Sequence, residues 1–341
     1  MQRRRLILGA GLLAGCSALW AQGPMHSAPQ RAPAKKPAMP EKLAFGLISP
    51  RNPEEMLKNW SPFFDRMSRA LGVPVDRKVY ASFTDLAKDF VADRLDLAWL
   101  GNAAALDVVE SGKGSVFATM VNQGKSSYRS TLITHRDSPL RSLDDVIRNG
   151  HQLRFGDGDE KSASGHIVPM YFAFLKKGVS EPGKLFKETK RASHQANLLA
   201  VANKEVDFAT NNTSEIENFR TTKPDQAALV RVIWESPDIP ESPMMWRNDL
   251  PPAAKQKIAA FVYNFGTRDD EEKGILWNMN KLTGWRQSTN RQLVTIADLE
   301  MFNARQRIMS DAKLSEAERT QRIDEVTRRG SKLELMLKAT S

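Results

Sequence analysis

With one cysteine, five histidines and four tyrosines in 341 residues, the chain is poor in the groups that carry most covalent and metal chemistry. The single cysteine, Cys16, permits no intrachain disulfide. The histidines, at 26, 135, 151, 166 and 194, fall into no HxxxH or HxH spacing, so a clustered metal site is not expected. Neither GxGxxG nor a Walker lysine motif occurs, which leaves nucleotide chemistry without support. GxSxG is absent, and Ser162-Ala163-Ser164-Gly165 lacks the glycine pattern of a nucleophile elbow. GDGD at 156–159 has neither the register nor the closing Glu of a calcium loop. No cofactor is expected.

What is present is a globular composition, 41% hydrophobic and 26% charged, with length enough for two modest domains. The net charge of +10 gathers in Arg3, Arg4 and Arg5 and in Arg31, Lys35, Lys36 and Lys42. Elsewhere the excess is small, and no basic run alternates with aromatics, so no nucleic acid partner is expected. MQRRR followed by LILGAGLLAG reads as an export signal over 1–21, its apolar part too short to span a bilayer. Two processing sites stay open: lipidation at Cys16 after Leu13-Ala14-Gly15, or cleavage after Ala21. The arginine cluster also leaves twin-arginine export open. The destination in each case is the periplasm, with the protein soluble or lipid-anchored. Residues 22–42, with five prolines, read as a tether.

From Leu43 strands and helices alternate. LAFGLIS (43–49), VPVDRKVY (73–80) and LDLAWLG (95–101) read as strands. Met56, Leu57, Trp60, Phe63, Phe64, Met67 and Leu71 mark one intervening helix and residues 82–94 a second. Residues 115–123 and 128–137 continue the sheet, and 142–150 form a short capped helix. Residues 194–216 read as helix, strand and polar turn, and 229–236 as a closing strand. IPESPMMW beyond Pro237 is proline-broken and extended, 252–265 is an amphipathic helix, and the last forty residues look like a solvated helix pair. The pattern is α/β with a largely parallel sheet. It divides into lobe 1 (43–135 with 237–305) and lobe 2 (136–236), joined by crossing strands near 132–138 and 232–238, with C-terminal helices over 306–341. Ligands of such sheets bind beyond the carboxyl ends of the strands. That puts Ser49, the Ala81–Phe83 corner and Gly101-Asn102 on one rim.

GDGDEKSASG (156–165) lies between the strand LRF and the helical HIVPMYFAFLKK. Strand, small polar loop and helix start together form a seat for an oxyanion, because the first backbone N–H groups of a helix have no partner within it. Ser162 and Ser164 would add hydroxyl donors, although the same serines serve equally as plain helix caps. Pro169 is tolerated if the helix starts near Ser164 or Gly165. Tyr128, His194, Asn102 and the Thr210–Thr213 turn are polar groups expected at the same cleft, and their coincidence favours binding.

LAFGLIS, LDLAWLGN, FGDGDEKSASGHIVP, LAVANKEVDFATNNT and VIWESPDIPESP follow in order over about residues 43–305, and they resemble the phosphonate-binding proteins of ABC importers. The resemblance implies a type II periplasmic binding fold, with two lobes closing over the ligand by a hinge. It implies a binding component, not an enzyme, that works as a monomer with a membrane permease and ATPase. It also implies that phosphonate oxygens are held at Ser162, Ala163 and Ser164, by His194 and by Tyr128. The chain departs from the family pattern at Ala163, where Thr is usual, and at Leu100, where the family has Tyr. The two acids and the tyrosine that hold a ligand ammonium in the family fall on Ser214, Ser242 and Phe83. Glu215 and Glu241 stand one residue away. A buried ammonium without acids is costly, so the expected ligand lacks a free amine: an alkylphosphonate, phosphite or phosphate ester. Two other readings stand beside import. One is an exported phosphoesterase with His194 as base and a loop serine as nucleophile; the other is a receptor presenting ligand to a membrane sensor.

Overall fold

A computed structural model describes residues 39–49 and 53–339. The expected export signal and most of the expected tether lie outside the described residues. Among the described residues no helix is long and apolar enough to cross a membrane.

Eleven strands follow in chain order among the described residues: β1 (Leu43–Ile48), β2 (Val75–Tyr80), β3 (Leu97–Trp99), β4 (Gly114–Asn122), β5 (Ser127–His135), β6 (Arg154–Asp157), β7 (Glu188–Arg191), β8 (Phe208–Asn212), β9 (Val230–Pro240), β10 (Pro243–Arg247) and β11 (Leu282–Gln287). They form two sheets, ordered β11-β4-β10-β3-β1-β2 and β7-β6-β8-β5-β9. β1 pairs in parallel with β2 and β3, and β6 with β7 and β8, each connection returning through a helix. The α/β class read from the alternation is therefore the class observed, but the sheets are mixed instead of largely parallel: of the nine strand pairings among the described residues, four are parallel and five antiparallel. Helix Pro53–Leu71 buries Met56, Trp60, Phe63, Phe64, Met67 and Leu71, the stripe its spacing predicts. Trp60 is fully buried and meets Phe63, Phe64, Trp99 and Trp285 with ring centroids 5.2–6.2 Å apart, which makes it the hub of the first core.

The chain leaves the first sheet between β4 and β5 and returns between β9 and β10. Residues 132–138 and 232–238, the expected crossings, lie largely within the paired lengths of β5 and β9, and the passages fall nearer 123–126 and 241–242. β9 runs past Pro237 to Pro240 because it is an edge strand, where a missing N–H costs no ladder bond. Opposite Ser130 the β5–β9 register shifts, and the Ser236 hydroxyl accepts the Ser130 N–H at 3.0 Å in place of a backbone carbonyl.

Several elements were not legible beforehand. β7 is four exposed residues, Glu-Thr-Lys-Arg, without an apolar signal. The expected polar turn after β8 is the start of helix Thr213–Thr222, with the Asn212 side chain accepting the Glu215 N–H as its cap. The extended IPESPMMW holds β10, which fills the middle of the first sheet antiparallel to β3 and β4. β11 is a further edge strand in a region read as helical. The helix pair expected at the C-terminus is present: the 24-residue helix Glu316–Ala339 packs on helix Val294–Ser310 and buries Leu333 and Leu337.

Candidate functional site

The carboxyl ends of the parallel strands of both sheets face one cavity, and five helical segments begin there. They start at Phe83, Asn102, Ala163, His194 and Thr213, after caps at Ser82, Gly101, Ser162, Ser193 and Asn212. Five positive dipole ends around one space favour an anion, each by about 0.3–1 kcal/mol and more where water is excluded. No Lys or Arg is among the described lining residues. Negative charge there must be met by N–H and O–H donors.

The loop expected to seat an oxyanion follows β6. Ser162 caps the helix by accepting the Gly165 N–H at 3.0 Å, and its oxygen lies 3.4 Å from His194 Nε2. Ser164 Oγ lies 3.2 Å from the same nitrogen and accepts from Asn212 Nδ2 at 3.3 Å. Both serines are buried, and Ser162 alone is the helix cap. Ala163 lines the cavity between them and contributes no hydroxyl. Tyr128, at the start of β5, has its phenol pushed up by burial and by Glu241, partly offset by a hydrogen bond with Ser164. It stays a neutral donor.

Pro169 was expected near a helix start at Ser164 or Gly165; the helical segment starts earlier, at Ala163, with π-type turns. A normal helix would bond the Gly165 carbonyl to the N–H of residue 169, which proline lacks. That carbonyl instead accepts the Gly158 N–H at 3.1 Å, closing the loop on itself. Behind the loop, buried Asp157 holds the Gly158 N–H at 2.9 Å and His166 Nδ1 at 2.9 Å.

Part of the cavity lining is acidic, through Glu215 and Glu241. Glu241 is 2% exposed, and its carboxylate accepts the Ser214 hydroxyl at 3.1 Å and the Ser242 N–H. Burial pushes its pKa up to about 7 against those two donors, and Glu215 adds to the rise. Glu215, in the first turn of helix Thr213–Thr222, lines the same wall with Asn218. This corrects the expectation of a cation end without acids. Glu241 occupies the short return from β9 to β10, whose backbone is pinned on both sides. Its N–H donates to the Ser126 carbonyl, and its own carbonyl accepts Thr119 Oγ1 and Gln292 Nε2. So held, the turn sends the Glu241 side chain into the cavity beside Ser242.

Nine residues singled out from the sequence line this cavity: Phe83, Asn102, Tyr128, Ser162, Ala163, Ser164, His194, Ser214 and Ser242; Ser49, Thr210, Asn211 and Thr213, also expected at the rim, are not among its lining residues. Their surroundings differ. Asn102 donates to the Pro240 carbonyl at 2.8 Å and accepts from Gln292 at 3.0 Å, so it clamps the return crossing. Phe83 packs flat against Gly101, where an added Cβ would lie 2.7 Å from its ring. Ser214 serves Glu241. Asn212, from the turn expected at the cleft, also faces the space, as do Asn122 and Met120, which carried no local sequence signal.

If the seat works as its geometry implies, His194→Ala should weaken binding of an oxyanion by about 1.5–3 kcal/mol, the scale of a hydrogen bond to a charged group. Titration calorimetry with methylphosphonate measures this, and unchanged affinity would remove His194 from the site.

The family described as ABC transporter, phosphonate, periplasmic substrate-binding protein matches residues 45–293. The phosphonates-binding periplasmic protein of Escherichia coli is 36% identical over 298 residues, 86% of this chain and 86% of that one. The crystal structure of a binding protein component of an ABC phosphonate transporter from Pseudomonas aeruginosa is also 36% identical. It covers 86% of this chain and 96% of its own, with a TM-score of 0.78. A methylphosphonate-bound protein from Prochlorococcus marinus, 20% identical with a TM-score of 0.68 over 76% of this chain and 97% of its own, shares the fold. Fold, sequence and strand-end cavity agree: the chain belongs to the periplasmic substrate-binding proteins of ABC phosphonate transporters.

Proposed function

We propose that the protein captures a small phosphonate bearing an ammonium group and delivers it to an ABC permease. The carrying observation is Glu241, a carboxylate buried in the lining of the cavity that the serines share. A buried acid and a separate set of N–H and O–H donors in one cavity match a zwitterion, with the phosphonate at Ser162, Ser164 and His194 and the ammonium at Glu241 and Glu215. Burial pushes the Glu241 pKa up to about 7, which costs roughly 3 kcal/mol at alkaline pH. A ligand cation would recover that cost. The export signal and tether fit a periplasmic carrier, soluble or anchored through Cys16.

Titration calorimetry at pH 7.5 with 2-aminoethylphosphonate, methylphosphonate, phosphite and phosphate tests the reading. The aminoethyl compound should bind tightest, by about tenfold or more over methylphosphonate, as expected for a close buried charge pair. Tighter binding of methylphosphonate or phosphite would restore the amine-free ligand read from Ser214 and Ser242. Absence of binding by all four would remove the phosphonate reading. Turnover of a chromogenic phosphate ester, lost in Ser162→Ala, would establish an enzyme in its place.

A further inference from the structure

One cation ties the oxyanion loop to the opposite side of the cavity. Lys161, next to Ser162, reaches Asp107 Oδ1 at 3.0 Å and Glu300 Oε1 at 3.4 Å. Asp107 lies on helix Asn102–Glu110, which packs on the first sheet, and Glu300 on helix Val294–Ser310. Both helices are fastened on the first-sheet side by Arg329 of the last helix. Its guanidinium holds both Glu110 oxygens, at 2.7–2.9 Å, and Glu300 Oε1 at 3.3 Å. The same face carries further contacts across the gap, and Ile167 and Val168 are buried in the first core. Asn303 Nδ2 donates to the Ile167 carbonyl at 2.9 Å, and the Tyr171 and Phe302 rings meet edge to face at 5.0 Å.

The charge balance of this cluster depends on closure. Asp107, Glu110 and Glu300 bring three negative charges, whereas Arg329 and Lys161 bring two positive ones. Glu300 Oε2 is buried and finds no donor among the described residues. Although burial works against the Lys161 charge, Glu300 and Asp107 hold its pKa above the ordinary lysine value. Of the two cations, Lys161 alone comes from the second-sheet side. With the gap open, water solvates the three acids; with the gap closed and Lys161 absent, they face one another in a half-buried space.

We propose that Lys161 is a positioning residue that latches the oxyanion loop to Asp107 and Glu300, favouring the closed state and so ligand affinity without touching ligand. The inference rests on the phosphonate reading for its affinity readout and goes beyond it in assigning closure to named charges. Because Lys161 directly precedes Ser162, order imposed on the seat by a ligand is passed to the latch through one peptide unit.

The test compares wild type, Lys161→Met, Lys161→Arg, Asp107→Asn and the Lys161→Met/Asp107→Asn pair. Stopped-flow binding of 2-aminoethylphosphonate is followed at low and high salt. Lys161→Met should raise the dissociation rate about tenfold, within the usual range of site-to-site coupling. Lys161→Arg should restore most of the loss. The pair should be no weaker than Lys161→Met alone, and added salt should weaken wild type more than Lys161→Met. Wild-type dissociation in Lys161→Met, or independent addition of the two single effects, would overturn the latch. Should wild type bind none of the phosphonates, the functional reading fails and the latch is judged from solution scattering of the ligand-free proteins. A larger radius of gyration in Lys161→Met supports it there, and equal radii overturn it.

Discussion

Glu241→Gln should stabilise the ligand-free protein at pH 8 and abolish tight binding of an aminophosphonate. In the folded chain burial raises the Glu241 pKa from 4.5 to about 7. A raised carboxyl pKa means the folded state binds a proton more tightly than the unfolded one. Its contribution to stability is complete below about pH 4.5 and is lost as pH rises through 7. The loss is roughly 3 kcal/mol by about pH 8, or about 5 °C in melting temperature for a chain of this size. Glutamine keeps the shape without the ionisation, so the variant should melt higher than wild type at pH 8 and equally at pH 4.5. Affinity should move the other way for 2-aminoethylphosphonate, falling about 100-fold or more on loss of one partner of a buried ion pair. Methylphosphonate should bind the variant at least as well as it binds wild type. Scanning calorimetry at the two pH values and titration with the two ligands settle the matter. Equal melting temperatures at pH 8 would mean that Glu241 is better solvated than its position implies.

Gly158→Ala should disable the seat from behind. An added Cβ would lie 2.6–2.7 Å from the Cα, C and O atoms of Gly165, all backbone, so no side chain can swing aside. The Gly158 N–H to Gly165 carbonyl bond must break, and the loop carrying Ser162 and Ser164 must move outward. Overpacking of this kind costs about 1–3 kcal/mol in stability. A displacement near 1 Å of positioned donors costs on the order of 100-fold in function, judged from catalytic sites. Gly183→Ala meets nothing within 4 Å and serves as the control that should change neither quantity. A Gly158→Ala protein binding methylphosphonate as wild type does would show that the tie between the two glycines is dispensable.

The strand–loop–helix segment around Ser162 was legible because its pieces are contiguous: a short strand, a run of small polar residues and an apolar helical run. The buried strands β1 and β3 and the helix Pro53–Leu71 were legible for the same reason, since their apolar residues are contiguous in the strands and at helical spacing in the helix. β10 was not, because five residues between prolines acquire a partner on each side only when β3 and β4 are already in place. Glu241 shows the limit most clearly. Its position relative to family acids pointed to Ser242, one residue on. Whether 241 or 242 enters the cavity is decided by hydrogen bonds from Thr119, Ser126 and Gln292, which lie far away in sequence. Pro169 is similar: its missing N–H matters through a carbonyl four residues earlier and a glycine eleven residues earlier.

The outer strands of the second sheet have a consequence for the chain before it meets any ligand. β9 is interrupted by Pro237 and Pro240, and β7 offers only exposed Glu188, Thr189, Lys190 and Arg191. A foreign strand needs an unbroken row of N–H and carbonyl groups and a face it can cover without stranding charge. Neither rim supplies both. Copies folding side by side thus find no ready template for strand addition on that sheet, and self-association into fibrils is discouraged at its margins.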